Sequence, residues 1–175
     1  MQGRWSRRPA LDYACRLVPT LRSTHVEVYV FRRRGRRVEF LLLRRSAGRR
    51  TLPGVWQPIT GKRNARERML AAAIRELREE TGLTPWRWWA LETMTLYPDA
   101  RADTLVALPL FAAEVDARQA VRLSHEHDAA AWLGSREAAR RVLWESQRRG
   151  LEAVRREVLG SARLASALEV TPRRV

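Results

Sequence analysis

The sequence contains almost no cysteine and almost no lysine. Among its 175 residues, Cys15 is the single cysteine and Lys62 the single lysine. One cysteine cannot form an internal disulfide, which excludes the class of small secreted domains that disulfides stabilise. Long hydrophobic runs are also missing, since stretches such as 38–43 are far shorter than the ~20 apolar residues that span a bilayer. The sequence therefore predicts a globular protein stabilised by its own packed core.

The first twenty residues lack the marks of an export signal. Arginines are present, but a continuous apolar segment and a small-residue cleavage site are not, so we expect a cytoplasmic location. The segment 1–20 shows no sustained hydrophobic period either, which predicts a loose N-terminus. One folded domain is expected at 21–165, followed by a frayed tail at 166–175, because roughly 100–200 residues is the ordinary size of one domain.

Negative charge is scarce in the chain. Lysine and arginine total 34 residues against 19 aspartates and glutamates, which gives a formal net charge of +15. A basic surface attracts polyanions such as nucleotides or RNA. The dominance of arginine over lysine is equally expected from the coding bias of a GC-rich genome. The charge alone therefore does not indicate an RNA partner.

Hydrophobic patterning predicts strands on both sides of one long helix. Residues 25–31 and 38–43 are rich in β-branched and aromatic side chains and flank an arginine-rich stretch at 32–37, which predicts a hairpin with a solvated tip. Further strands are expected at 55–60, 86–97, 104–115 and 131–133. Helices are expected at 65–80, 135–143 and 147–159. This order predicts an α/β sandwich in which helices cover both faces of a mixed sheet.

The central helix carries start and stop signals in its sequence. Asn64 has the character of an N-cap, and Glu67 three residues later completes a pattern close to a capping box. Gly82 follows the last helical residue and is suited to the left-handed conformation in which many helices end. We therefore expect a helix from 65 to 80 with both ends defined.

Three glutamates share one face of this helix near its C-terminal end. Glu76, Glu79 and Glu80 are spaced at i, i+3 and i+4, where like charges repel and the helix dipole disfavours anions. An acidic face balanced by Arg75 and Arg78 is one explanation of the cluster. The other is a metal site, because clustered carboxylates are the hard oxygen ligands that Mg²⁺ or Mn²⁺ prefers.

The spacing around these glutamates favours the metal site. Residues 61–83 fit the pattern G-x5-E-x7-R-E-U-x-E-E-x-G-U, where U is a bulky aliphatic residue, at all nine specified positions. This pattern is the signature of the Nudix hydrolases, and the chain resembles that family. The resemblance implies a Nudix-type α/β/α sandwich with a mixed sheet and a catalytic loop-helix.

The resemblance also implies a role for each box position. Gly61 would open the loop into the catalytic helix, Glu67 would brace that loop, and Arg75 would hold a catalytic carboxylate in place. Gly82 would cap the helix, as its sequence already indicates. The divalent cations, Mg²⁺ or Mn²⁺, would be bound by Glu76, Glu79 and Glu80.

Flanking residues resemble the Nudix branch that acts on dihydroneopterin triphosphate and on deoxynucleoside triphosphates such as dATP. In that branch a glutamate after the box completes the metal shell, and Glu126 occupies the matching position. Trp56, Gln57 and Lys62 are the candidate substrate-binding residues, although Trp56 is also suited to core packing. The loop 62–66 is basic where many family members carry an acidic residue and a glycine. This difference can change how the loop contacts phosphate groups and how many metal ions the site binds.

The resemblance implies hydrolysis of a phosphoanhydride bond in a nucleoside-diphosphate-linked substrate. Bound cations would activate a water molecule, and Glu80 or Glu126 would accept its proton. We expect a small-molecule nucleotide or pterin triphosphate as substrate and pyrophosphate as a product. Removal of pyrophosphate from the 5′ end of RNA, and a non-catalytic nucleotide-binding regulator, are the alternatives. A homodimer is left open, and no membrane partner is expected.

Overall fold

The computed structural model describes residues 20–171 as eight strands and four α-helices. The predicted loose segment 1–20 lies outside the described residues except for Thr20, which belongs to a strand. The part of the predicted tail beyond 171 lies outside them as well. The strands are β1 Thr20–Arg22, β2 His25–Arg34, β3 Arg37–Arg45, β4 Trp56–Gln57, β5 Ile59–Lys62, β6 Arg87–Asp99, β7 Thr104–Val115 and β8 His127–Gly134. The helices are α1 Met69–Thr81, α2 Ser135–Arg141, α3 Glu145–Ala153, which continues as a π-helical stretch Val154–Leu159, and α4 Ala162–Leu168.

All eight strands belong to one mixed sheet. Strand β7 runs parallel to β1 and β2 and antiparallel to β6. Strand β2 is antiparallel to β3 and β5, while β3 is antiparallel to β4 and β8. The two short strands β4 and β5 thus pair with different neighbours, β3 and β2. The mixed sheet expected from the sequence is confirmed.

Strand β2 contributes to two hydrophobic cores, one on each face of the sheet. Val26, Val28 and Val30 are fully buried in the core that also contains residues of α1. Tyr29 and Phe31 point to the opposite face, where residues of α2, α3 and α4 pack. Alternate side chains of a strand face opposite sides of a sheet, and both sides of β2 are covered here. Helices on both faces confirm the α/β/α sandwich.

The predicted hairpin is tighter than its arginine-rich sequence indicated. Strands β2 and β3 remain paired as far as Arg34 and Arg37, so the turn contains only Gly35, in a left-handed conformation with φ 60°, and one further residue. Arg32 and Arg33 lie within β2 and donate to the carboxylates of Glu39 and Glu114 at 2.7 and 3.0 Å. The prediction of a loop at 32–37 was wrong for Arg32 and Arg33, because strand pairing extends to both. Only Arg32 is withdrawn from solvent, at 13% exposure against 49% for Arg33.

Helix α1 begins four residues later than predicted. Its N-cap is Arg68, whose side chain makes no capping hydrogen bond, so the prediction of Asn64 as N-cap was wrong. The contact expected of a capping box does form in part, since the Asn64 backbone N–H donates to Glu67 at 2.8 Å, but it closes a turn before the helix. The predicted end is confirmed: Gly82 has φ 68° and donates its N–H to the Arg78 carbonyl at 2.8 Å.

Other differences concern element boundaries. The predicted strand 55–60 is divided at Pro58 into β4 and β5, since proline has no N–H for strand pairing. Helix α4 was not predicted, and the predicted tail from 166 is wrong as far as 170, because α4 extends to Leu168 and the Val170 N–H donates to the Trp88 carbonyl at 2.9 Å. Over residues 20–171, none of the helices combines the length and apolar character that crossing a membrane requires.

Candidate active site

The loop that leads into α1 is fixed by a close contact between Gly61 and Glu76. Gly61 lies in β5 opposite Val26 of β2 and is buried. A methyl group on Gly61 would overlap the Cγ and Cδ atoms of Glu76. Glycine is therefore required here by the approach of a side chain, which sets the position of the Glu76 carboxylate against the sheet.

Replacing Gly61 with alanine should displace Glu76 and reduce hydrolytic activity. We expect kcat/KM to fall by roughly 100-fold, since misplacing a reacting group by about 1 Å costs that much. Gly48→Ala is the matched control, because nothing lies within 4 Å of the added atom. Kinetics at saturating Mg²⁺ and thermal unfolding of both variants would check this, and a Gly61→Ala enzyme as active as the control would contradict the assigned contact.

Arg75 connects this loop to the carboxylates of α1. Its guanidinium donates to both carboxylate oxygens of Glu67 at 2.9 Å and to the Lys62 carbonyl at 2.9 Å. It also donates to Glu76 at 2.8 Å and to Glu79 at 3.1 Å. The hydrogen bonds from Arg75 lower the pKa of Glu67 to about 2. Arg75 thus fixes Glu76 and Glu79, two of the predicted metal-binding residues, and also Glu67 in the loop before α1.

Glu80 is the buried member of the acidic cluster. The residue is only 5% exposed, and its Oε2 atom has no hydrogen-bond partner. Burial, followed by repulsion from Glu76, Glu126 and Glu79, raises the pKa of Glu80 to about 8. Glu80 therefore lies buried among three further carboxylates, and the positive charge of Arg45 offsets their repulsion only in part.

Glu126 is brought to this cluster by the loop between β7 and β8. The Ser124 N–H donates to the Glu80 carbonyl at 3.2 Å, and the Ser46 N–H donates to the Glu126 carbonyl at 3.0 Å. The Glu126 carboxylate forms an ion pair with Arg49 at 3.1 Å. These contacts join the loop to the C-terminal end of α1 and to the segment after β3, so Glu126 does not lie in an isolated polar loop.

The chemistry of these side chains fits a divalent cation. Within residues 20–171, no three side chains of histidine, cysteine, aspartate or glutamate converge closely enough to bind an ion in the positions observed. Glu76 and Glu79 are turned toward Arg75 and Glu126 toward Arg49. The crowding of carboxylates around Glu80 and its unpartnered oxygen are nevertheless what hard oxygen-binding cations neutralise. The residues suited to hold the cation are Glu76, Glu79, Glu80 and Glu126.

The three predicted substrate-binding residues occupy different surroundings. Trp56 is half-buried, packs against the core on the α3 side, and has guanidinium groups of Arg44 and Arg141 at 5.8 and 5.1 Å from its ring centroid. Gln57 pairs with a residue of β3 and is half-buried, whereas Lys62 is exposed at the end of β5. The indole ring thus lies near two guanidinium groups, and a base stacked on Trp56 would lie close to these arginines.

Sequence reasoning missed a buried polar cluster next to the loop. Glu27 is 2% exposed and accepts hydrogen bonds from the Tyr29 hydroxyl at 2.6 Å and from Gln147 of α3 at 3.3 Å. Burial raises the pKa of Glu27. Gly150 of α3 lies so close to Tyr29 that a methyl group there would overlap the phenol ring. The signal in the sequence was a glutamate within the largely apolar run 26–31. In the structure Glu27 is paired with Thr60, one residue before Gly61.

Known proteins resemble this chain in sequence and in fold. An octanoyltransferase of Myxococcus xanthus is 35% identical over 131 residues, which cover 74% of this chain but only 35% of that relative. The nucleoside triphosphatase NudI of Klebsiella pneumoniae (strain 342) is 32% identical over 101 residues, covering 54% of this chain and 72% of that protein. The solved structure of the E. coli dihydroneopterin triphosphate pyrophosphohydrolase has a TM-score of 0.60 at 21% identity, covering 78% of this chain and 95% of that one.

A mixed sheet between helical layers, with a carboxylate-rich helix against one face, defines the chain as an α/β sandwich protein. The model of the NUDIX domain matches residues 22–154, more than half of the sequence. The chain belongs to the Nudix hydrolase family, and the resemblance noted in the signature is confirmed.

Proposed function

We propose that this protein is a metal-dependent pyrophosphohydrolase that acts on a (deoxy)nucleoside triphosphate or on dihydroneopterin triphosphate and releases pyrophosphate. The observation that carries the proposal is the position of α1, which brings Glu76 and Glu79 beside the buried Glu80, with Glu126 adjacent on the loop between β7 and β8. NudI, which is similar over 72% of its length, is named a nucleoside triphosphatase. The E. coli structure with the same fold is a dihydroneopterin triphosphate pyrophosphohydrolase.

The side chains of this site have different roles in the proposed hydrolysis. Glu76, Glu79, Glu80 and Glu126 would hold the cations. Divalent cations, Mg²⁺ or Mn²⁺, supply charge neutralisation on the phosphate oxygens and lower the pKa of water. Glu80 or Glu126 accepts the proton as the water oxygen forms its bond to phosphorus and the bond to the bridging oxygen breaks. A nucleoside triphosphate thus yields a monophosphate and pyrophosphate.

The carboxylates that would bind the cations are positioned by residues that are not themselves cation ligands. Arg75 fixes the carboxylates of Glu76 and Glu79 by hydrogen bonds of 2.8 and 3.1 Å, and Gly61 leaves the space that Glu76 occupies. Arg45 and Arg49 lie beside the cluster and contribute positive charge near His127. Such preorganised charges favour the developing negative charge on the departing pyrophosphate.

Removal of pyrophosphate from the 5′ end of RNA is the second candidate. The observation that favours it is the formal charge of +15, because a basic surface raises the affinity for nucleic acid. A non-catalytic regulator is disfavoured by the presence of every box glutamate, since non-catalytic members typically lack one or more of them.

A substrate panel separates these functions. With Mg²⁺ or Mn²⁺, we expect the purified protein to release pyrophosphate from at least one nucleoside triphosphate or from dihydroneopterin triphosphate, faster than it cleaves ADP-ribose or a dinucleoside polyphosphate. Chromatographic product analysis would identify the bond that is broken. Faster hydrolysis of 5′-triphosphorylated RNA than of any free nucleotide would contradict the proposed substrate class. Inactivity toward the whole panel would contradict the proposed activity.

A further inference from the structure

Two buried polar side chains face each other at the C-terminal end of α1. The Nδ1 atom of His127 lies 3.8 Å from Oε2 of Glu80, and the two side chains are 2% and 7% exposed. Neither atom has a hydrogen-bond partner in the described part of the chain. A buried polar group without a hydrogen-bond partner destabilises the fold because it has lost its contact with water. Two such groups less than 4 Å apart therefore require an explanation.

Local structure places His127 in this position. His127 is the first residue of β8, and its pairing with Arg45 is separated by a register shift from the regular pairing that begins at Arg44. The preceding loop is held on α1 because the N–H groups of Arg122 and Ser124 donate to backbone carbonyls at the helix end at 2.8 and 3.2 Å. The irregular pairing and the docked loop turn the imidazole inward, toward Glu80.

Other cationic or donor groups nearby are engaged elsewhere. Arg45 donates its Nε–H to the Thr51 carbonyl at 3.0 Å, and Arg49 is paired with Glu126 at 3.1 Å. Arg75 binds other glutamates of the cluster but makes no hydrogen bond to Glu80. Among the described residues, the imidazole of His127 is therefore the group best placed to donate to the Glu80 carboxylate.

We propose that His127 is a positioning residue that donates its Nδ1–H to Glu80 and orients this carboxylate for cation binding. The inference rests on the proposed function of the glutamate cluster. The separation of 3.8 Å exceeds the length of a hydrogen bond by less than about 1 Å, so the proposed contact requires only a small shift of the two side chains toward each other. Hydrogen bonds of this type orient metal-binding carboxylates, and their loss lowers metal affinity or activity by about 10- to 100-fold.

The experiment compares His127→Leu, His127→Asn and the control His125→Leu. Asparagine places an N–H near the position of Nδ1, whereas leucine fills similar volume without a donor. His125 is exposed and lies two residues away. Mn²⁺ binding is measured by titration with electron paramagnetic resonance detection of free Mn²⁺, alongside thermal unfolding in EDTA and steady-state kinetics.

We expect His127→Leu to weaken Mn²⁺ binding by about 10- to 100-fold, with His127→Asn and His125→Leu close to the wild type. Equal Mn²⁺ affinity of the leucine and asparagine variants would overturn the inference. If His127→Leu is unfolded, the comparison of His127→Asn with His127→Gln, which moves the donor away from the Nδ1 position, decides the question in the same way. The proposed hydrolytic activity fails separately, through inactivity of the wild type toward the substrate panel, while Mn²⁺ affinity still tests the role of His127.

Discussion

Replacing Glu79 with glutamine should lower kcat/KM by about three orders of magnitude, equivalent to about 4 kcal/mol of transition-state stabilisation. Glutamine keeps the size of the side chain but removes the negative charge that a divalent cation requires. Glu79 is exposed, and within the described structure its carboxylate accepts a hydrogen bond only from Arg75, so we expect the fold not to depend on the charge of Glu79. The loss should therefore appear in activity and not in the thermal unfolding midpoint.

Glu152→Gln is the matched control for this variant. Glu152 is an exposed glutamate of α3 that pairs with Arg155 at 2.8 Å, remote in sequence from the signature. We expect its kcat/KM to stay within about twofold of the wild type, as surface ion pairs contribute little. Full activity of Glu79→Gln with the preferred substrate would contradict the assignment of the α1 carboxylates to the cation site.

Replacing Glu80 with glutamine should abolish activity and yet stabilise the protein in EDTA at alkaline pH. The pKa of Glu80 is about 8 in the folded chain against 4.5 in its ordinary state. The folded state therefore binds the extra proton between these values, and stability falls as the pH rises from about 4.5 to about 8. The pKa difference corresponds to a loss of at most about 5 kcal/mol in the free energy of unfolding. The glutamine variant avoids this loss because its side chain does not ionise.

Urea unfolding in EDTA at pH 5 and pH 8.5 would measure this effect. Near pH 5 the two proteins should have similar free energies of unfolding, since Glu80 is protonated in the folded wild type. At pH 8.5 the glutamine variant should be the more stable, and Mg²⁺ should raise the stability of the wild type only. A wild-type stability that increases between pH 5 and pH 8.5 relative to Glu80→Gln would show that burial and the neighbouring carboxylates do not raise the pKa of Glu80.

The sequence predicted those parts of the molecule that depend on local patterns. Strand β7 occupies the predicted 104–115, and α1 ends at Gly82 as expected. Periodicity and a left-handed glycine act over a few residues, so a single sequence contains the information for them. The three glutamates of α1 share a face for the same reason, and their spacing alone brought a cation site into consideration.

Contacts between distant residues determined what the sequence did not predict. The loop before α1 is shaped by hydrogen bonds from Arg75 to Glu67 and to the Lys62 carbonyl, and these compete successfully with the capping signal at Asn64. His127 is 47 residues away from Glu80 along the chain, and only the docking of the intervening loop brings the two together. No local pattern reports such a contact.

The packing of Gly150 against Tyr29 has a consequence for how this sequence can vary. A side chain at position 150 would overlap the phenol ring, and a smaller residue at position 29 would remove the hydroxyl that donates to Glu27 at 2.6 Å. A change at one of these three positions therefore alters the packing or hydrogen bonding of another. Because Glu27 is paired with Thr60 beside the loop that leads into α1, these contacts connect the inner surface of α3 to the strand on which the candidate active site is built.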